Sequence, residues 1–167
     1  MHAFVLGLAL LGVAPNHSLM LSIADGRLSM SQLVRPSAGV VYIDHGGNPS
    51  GMPRRDSDGV RCGAQLAALF DHVQKKLAHP VIGLRATYQE ARLVCGTSPY
   101  PTCIWRGGSE WDPTIHFVFR DDPVNGLVLR AIVLEDELLV DPSIVARNRR
   151  AILPEIEKIE ATQRCTP

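Results

Sequence analysis

The chain has no Asp, Glu, Lys or Arg before Asp25, few aromatics (5%), and no excess of either charge, with 17 Lys and Arg against 17 Asp and Glu. A balanced chain lacks the basic surplus that draws proteins to nucleic acid or anionic lipid. There is also no apolar run of about 20 residues, the length that spans a bilayer as a helix. Internal repeats are absent. So are a phosphate-binding glycine-rich loop, a His-Glu-x-x-His helix and a Gly-x-Ser-x-Gly elbow, which removes the commonest sequence routes to a nucleotide, zinc-protease or esterase site. What the chain does have is 46% hydrophobic residues over 167 positions. That is enough to build the core of one domain and excludes wholesale disorder.

The N-terminus is the first positive signal. Residues 3–14, AFVLGLALLGVA, form a twelve-residue apolar block ending in Gly12-Val13-Ala14. This reads as the apolar region and small-residue cleavage site of an export signal. Residues 1–14 are therefore expected to be a signal peptide, and 15–167 one domain. If cleavage fails, the block stays as an anchor. An exported chain with four cysteines, Cys62, Cys95, Cys103 and Cys165, is expected to carry two disulfides. Of three possible pairings, Cys95–Cys103 closes the short loop GTSPYPT and leaves Cys62–Cys165 to staple a helix start to the C-terminus. The rival zinc site needs two ligands a few residues apart, and no such cysteine pair exists. No metal and no cofactor is expected.

The pattern of the domain predicts α+β: an antiparallel sheet with one middle helix and a C-terminal helix packed on it. Residues 19–23 and 28–30 flank Asp25-Gly26, the turn pair of a β-hairpin. A strand is expected over 39–43, then a long surface loop over 44–59, DHGGNPSGMPRRDSDG. Within it, Asp56-Ser57-Asp58-Gly59 resembles part of a calcium loop, but Arg54 and Gln65 fall where ligands belong. Asp58 is expected to cap a helix to His79, with Leu66, Leu69, Phe70, Val73 and Leu77 as its apolar stripe. Alternation from Ile82 to Tyr88 predicts a strand. A bulge or turn near Gln89-Glu90 leaves Ala91, Leu93 and Cys95 on one side, unless residues 87–94 form a short helix, and 102–106 is the partner strand across the Cys95–Cys103 loop. Residues 114–120 and 127–134 are apolar on both faces and close through Asn125-Gly126, so they belong mid-sheet. Asp141-Pro142 starts the last helix, buried along Ile152, Ile156 and Ile159, with a kink or restart at Pro154.

Candidate contacts lie on two loops. Gly107-Gly108-Ser109-Glu110-Trp111-Asp112 joins flexible glycines to an indole and two carboxylates, and Pro99-Tyr100-Pro101 holds a ring on a stiff loop. The binding candidates are thus Tyr100, Trp105, Glu110, Trp111 and Asp112. No residue is nominated as catalytic, although Glu110, Asp112 and His116 would serve a hydrolase if they converge. His116 alone reads as a satisfied strand residue, and His72 and His79 as surface histidines.

Residues 19–30, LMLSIADGRLSM, followed by 66–86, LAALFDHVQKKLAHPVIGLRA, resemble the periplasmic part of biopolymer-transport proteins of the ExbD/TolR type, with their Asp-Gly hairpin, helix and following strand. The resemblance covers residues 19–86 and implies a membrane-tethered periplasmic scaffold. The membrane helix of that family carries an essential carboxylate, which residues 1–24 lack, so energy transduction is not implied. Taken together, the residues predict an exported, periplasmic or extracellular, non-catalytic binding or envelope-associated domain. Its partner is an unknown protein or small molecule, not nucleic acid, and a membrane only if the N-terminal segment stays uncleaved. The tethered scaffold and a hydrolase with a dispersed active site are the alternatives.

Overall fold

The computed structural model describes residues 15–35, 38–45, 58–85, 92–106, 114–135 and 142–165, with backbone alone for Arg92 and for 142–150. Its elements run α1 (Pro15–Ala24), a short 3₁₀ turn (Met30–Leu33), β1 (Val40–Asp44), β2 (Gly59–Arg61), α2 (Gly63–Leu77), β3 (Arg92–Gly96), β4 (Thr102–Arg106), β5 (Thr114–Asp122), β6 (Gly126–Glu135) and α3 (Pro142–Thr162). The fold class is α+β, with one six-stranded mixed sheet ordered β2-β1-β6-β5-β4-β3.

The two apolar runs form the middle of this sheet, β5 against β6, turned by Asp122, whose Oδ1 accepts from the Val124 and Asn125 backbone N–H groups. Side chains alternate between faces. Val40, Tyr42, Trp105, Ile115, Phe117, Ile132 and Leu134 share one cluster with Met20 and Ile23 of α1 and Leu69, Phe70, Val73 and Leu77 of α2. Val41, Ile43, Val118, Ala131 and Val133 face Ile152 and Ile156 of α3. A sheet centre apolar on both faces is thus covered on both. The register slips between Val118 and Phe119, where Val118 pairs with Ala131 but Phe119 with Leu129. Arg130 is the extra residue of a β-bulge, and Leu129 and Ile132 can therefore reach the same cluster despite their odd spacing.

Several expectations change. The sheet is mixed, not antiparallel, because β6 returns to lie parallel to β1, Val41 opposite Ala131. Residues 19–30 are not a hairpin. Asp25-Gly26 ends α1, with Gly26 at φ +69° and the N–H groups of Gly26 and Arg27 on the Ile23 and Ser22 carbonyls. This is a Schellman cap, which draws on the same positive-φ tolerance as a hairpin turn. The hairpin that carried the ExbD/TolR resemblance is therefore absent. The middle helix begins at Gly63 after Cys62, not at Asp58; the Asp58 carboxylate instead accepts from the Asp44 N–H, 2.9 Å away. Of the loop expected over 44–59, Asp44 belongs to β1 and Gly59 to β2, and 46–57 lie outside the described residues. Residues 81–85 are turn, not strand: the Gly83 and Leu84 N–H groups fold back onto the His79 and Leu77 carbonyls that end α2. α3 runs through Pro154 as one helix.

Both disulfides are present, Cys62–Cys165 and Cys95–Cys103, and no described cysteine is free. The first ties the start of α2 to the tail beyond α3. The second joins directly opposed residues of β3 and β4, with Cα atoms 4.1 Å apart. Two disulfides suggest an oxidising, exported environment. They close loops of very different length, 103 against 8 residues of separation. Replacing Cys62 and Cys165 by Ser is expected to lower stability by about 4–5 kcal/mol, and replacing Cys95 and Cys103 by about 2–3 kcal/mol. Guanidinium unfolding of the two double variants checks this order, and an equal or larger loss for the short loop contradicts it.

Candidate functional site

At the sheet end where β3 passes to β4 and β5 to β6, a cleft of about 370 Å³ is lined from α1, the β3–β4 loop, β5, β6 and α3. Its apolar wall includes Tyr100, Phe119, Leu127 and Leu153, and its guanidinium groups are Arg120 and Arg130. The β3–β4 loop is held from several sides. Cys95–Cys103 closes its base, and the Pro101 carbonyl accepts from the Phe119 N–H at 2.9 Å. Asn16 is fully buried and donates through Nδ2 to the carbonyls of Gly96 (2.9 Å) and Thr102 (3.0 Å). One amide thereby bridges the ends of β3 and β4 and seats α1 on the hairpin.

Arg130 owes its place to the bulge. Its Nε and Nη2 reach Glu160 at 3.0 and 2.7 Å, with Glu157 at 3.9 Å. The bonded Glu160 carboxylate holds its pKa above the ordinary value against the opposing effect of burial. Arg130 is therefore spoken for by α3. Arg120 is exposed and has no ion pair among the described residues, and it lines the cleft together with the exposed carboxylate of Asp121.

The opposite sheet end, where β1 and β6 finish side by side, gathers four titratable groups. His116 is fully buried, and its Nε2 lies 3.2 Å from Glu135 Oε2. His45 Nδ1 lies 3.7 Å from Glu135 Oε1, and its Nε2 lies 2.7 Å from Glu155 Oε2 on α3. The His45 pKa is raised, first by Glu135 and then by Glu155, with burial opposing. Tyr42 on the other face is also pushed up, by burial and by Asp44, while the Arg61 guanidinium sits 5.0 Å above its ring. Among the described residues no group of three or more His, Cys, Asp or Glu is arranged to hold a metal ion, and no helix is long and apolar enough to cross a membrane.

Of the residues singled out from sequence, Tyr100 stands in the cleft wall. Trp105, on β4, is 1% exposed and packs in the core cluster shared with α1 and α2. Glu110, Trp111 and Asp112 lie outside the described residues. Arg120, Arg130, His45 and Glu135 were not singled out. A guanidinium inside the apolar run of β6 was a usable signal for Arg130, whereas His45 and Glu155 stand 110 residues apart and no local pattern links them.

Replacing Asn16 by Asp removes both donated hydrogen bonds and sets a carboxylate against two carbonyl oxygens. The expected loss is about 2–3 kcal/mol, read as a lowered urea midpoint; a wild-type midpoint would show that this amide does not hold α1 to the hairpin. In comparison with known proteins, no family model, no curated protein and no solved structure matches this chain.

Proposed function

We propose that the chain is an exported binding domain, periplasmic or extracellular, whose ligand sits in the cleft beside Tyr100 and which performs no chemistry of its own. One observation carries this reading: the loop bearing Tyr100 is closed by Cys95–Cys103, pinned to β5, and forms a wall of a cleft of about 370 Å³. A wall fixed before binding lowers the ordering cost of the complex. The volume falls in the range of small-molecule sites. Rings and aliphatic side chains beside the Arg120 guanidinium, which has no ion pair among the described residues, fit a small organic anion with an apolar body, placed so that its charge meets Arg120 rather than Asp121. Export rests on the residue 3–14 block and is supported by the disulfides.

A hydrolase is the second reading. It is favoured by the alignment of His116, Glu135 and His45, in which a buried carboxylate faces two imidazoles. Under that reading His116→Ala abolishes turnover of a p-nitrophenyl ester, and an unchanged rate removes it.

The binding reading is tested with 8-anilinonaphthalene-1-sulfonate, an aromatic body carrying one anionic group. The native protein is expected to bind it with saturable fluorescence. Tyr100→Ala and Arg120→Ala should each weaken it about tenfold, the equivalent of ~1.4 kcal/mol, with unchanged circular dichroism. No saturable binding, or equal affinity in both variants, defeats the proposal.

A further inference from the structure

We propose that His45 is a pH-dependent clasp between the sheet and α3, closed while its imidazole is charged and loosened when it becomes neutral. The inference is independent of what the cleft binds. His45 follows the last residue of β1, and its two ring nitrogens face carboxylates on different elements: Glu135 of β6 at 3.7 Å and Glu155 of α3 at 2.7 Å. An ionised carboxylate only accepts hydrogen bonds, and a neutral imidazole carries a single N–H. Only the imidazolium presents a proton to both. On losing one, it turns a lone pair toward a carboxylate and leaves two acidic groups facing each other across the sheet–helix seam.

The charged surroundings favour the imidazolium, and burial opposes it. Besides Glu135 and Glu155, the neighbouring groups are His116 on β5, which meets the other Glu135 oxygen at 3.2 Å, and Asp44 and Asp58 at the adjoining ends of β1 and β2. Of these, Glu135 and then Glu155 outweigh the opposing effect of burial, so the imidazolium is favoured and the folded pKa is raised above the ordinary value. The sign follows from linkage. A raised folded value means that the contribution is complete below about pH 6.5 and is lost as pH rises through the folded pKa.

The helix is built so that the loss is local. Beyond residue 155, α3 is tied by Glu160 to Arg130, by Gln163 to the Val60 N–H at 3.0 Å, and by Cys165 to Cys62. Glu155 directly follows Pro154, which has no N–H for the carbonyl one turn earlier. Opening the clasp therefore releases the part of α3 around Ile152 and Leu153 while the tail stays attached.

Amide hydrogen exchange on the full, disulfide-intact chain tests this, with rates corrected for intrinsic base catalysis. Between about pH 5.5 and about pH 8.5, protection around Ile152 and Leu153 is expected to fall by roughly tenfold. Protection near Glu160 should change little. His45→Gln should abolish the pH dependence, leaving protection low throughout, and Glu155→Gln should reduce it. Flat protection in the wild type, or full pH dependence in either variant, overturns the proposal. Glu155 is half-exposed, so its variant decides the question alone if the His45 variant does not fold.

Discussion

The central pair β5 and β6 buries apolar side chains on both faces, with Ile115, Phe117 and Ile132 turned one way and Val118, Ala131 and Val133 the other. Each large apolar side chain removed from water contributes about 1.5–3 kcal/mol, so leaving either face open would forfeit much of the marginal stability of a small domain. Two covers are therefore required. α1 and α2 supply one and α3 the other, and β1, joined to β6, extends both clusters. The bulge at Arg130 belongs to the same constraint. It keeps Leu129 and Ile132 in one cluster across an odd interval, and the residue displaced in doing so becomes the cation that receives Glu160.

That constraint also explains which parts were legible in the sequence. The unbroken apolar runs of β5 and β6, the stripe of α2 and the stripe Ile152, Ile156, Ile159 each reflect burial against something, whatever it is, and local pattern reports burial well. Cys95 and Cys103 were legible because a short turn brings β3 and β4 into register. Asp25-Gly26 misled because positive φ serves a helix cap as readily as a hairpin. Leu19, Leu21 and Ile23 alternate, yet Asn16, Met20 and Ile23 are the residues that α1 buries. The stretch from Ile82 misled because the backbone there is used to satisfy the end of α2, an interaction that side-chain alternation does not register. The parallel β1–β6 contact could not be read, since direction depends on where a four-strand meander re-enters the sheet.

The candidate sites show the same division. Tyr100 was accessible to sequence reasoning because proline and a closing cysteine pair mark a stiff loop. Arg120 became meaningful only once Arg130 was seen to be committed to Glu160, a fact about α3 rather than about β5. His45 illustrates the limit most clearly. Its chemistry is set by two glutamates, one at the end of β6 and one on α3, and neither is near it in the chain.

The interactions that hold α3 respond differently to conditions. The packing of Ile152 and Ile156 contains no group that titrates or is oxidised. Cys62–Cys165 responds to reductant alone, and the Arg130–Glu160 pair keeps its charge across the neutral range because guanidinium does not titrate there. His45 is different, because imidazole changes charge within the range that cells and their surroundings visit. pH is therefore a variable to which the His45 contact answers and the other contacts do not. A helix whose tail is fixed covalently while its middle is fixed by a histidine can respond to that variable without coming apart. The order of attachments along α3, imidazole at Glu155, guanidinium at Glu160 and sulfur at Cys165, runs from the most to the least condition-sensitive, so that any loosening begins beside the cleft wall at Leu153 and stops before the chain end.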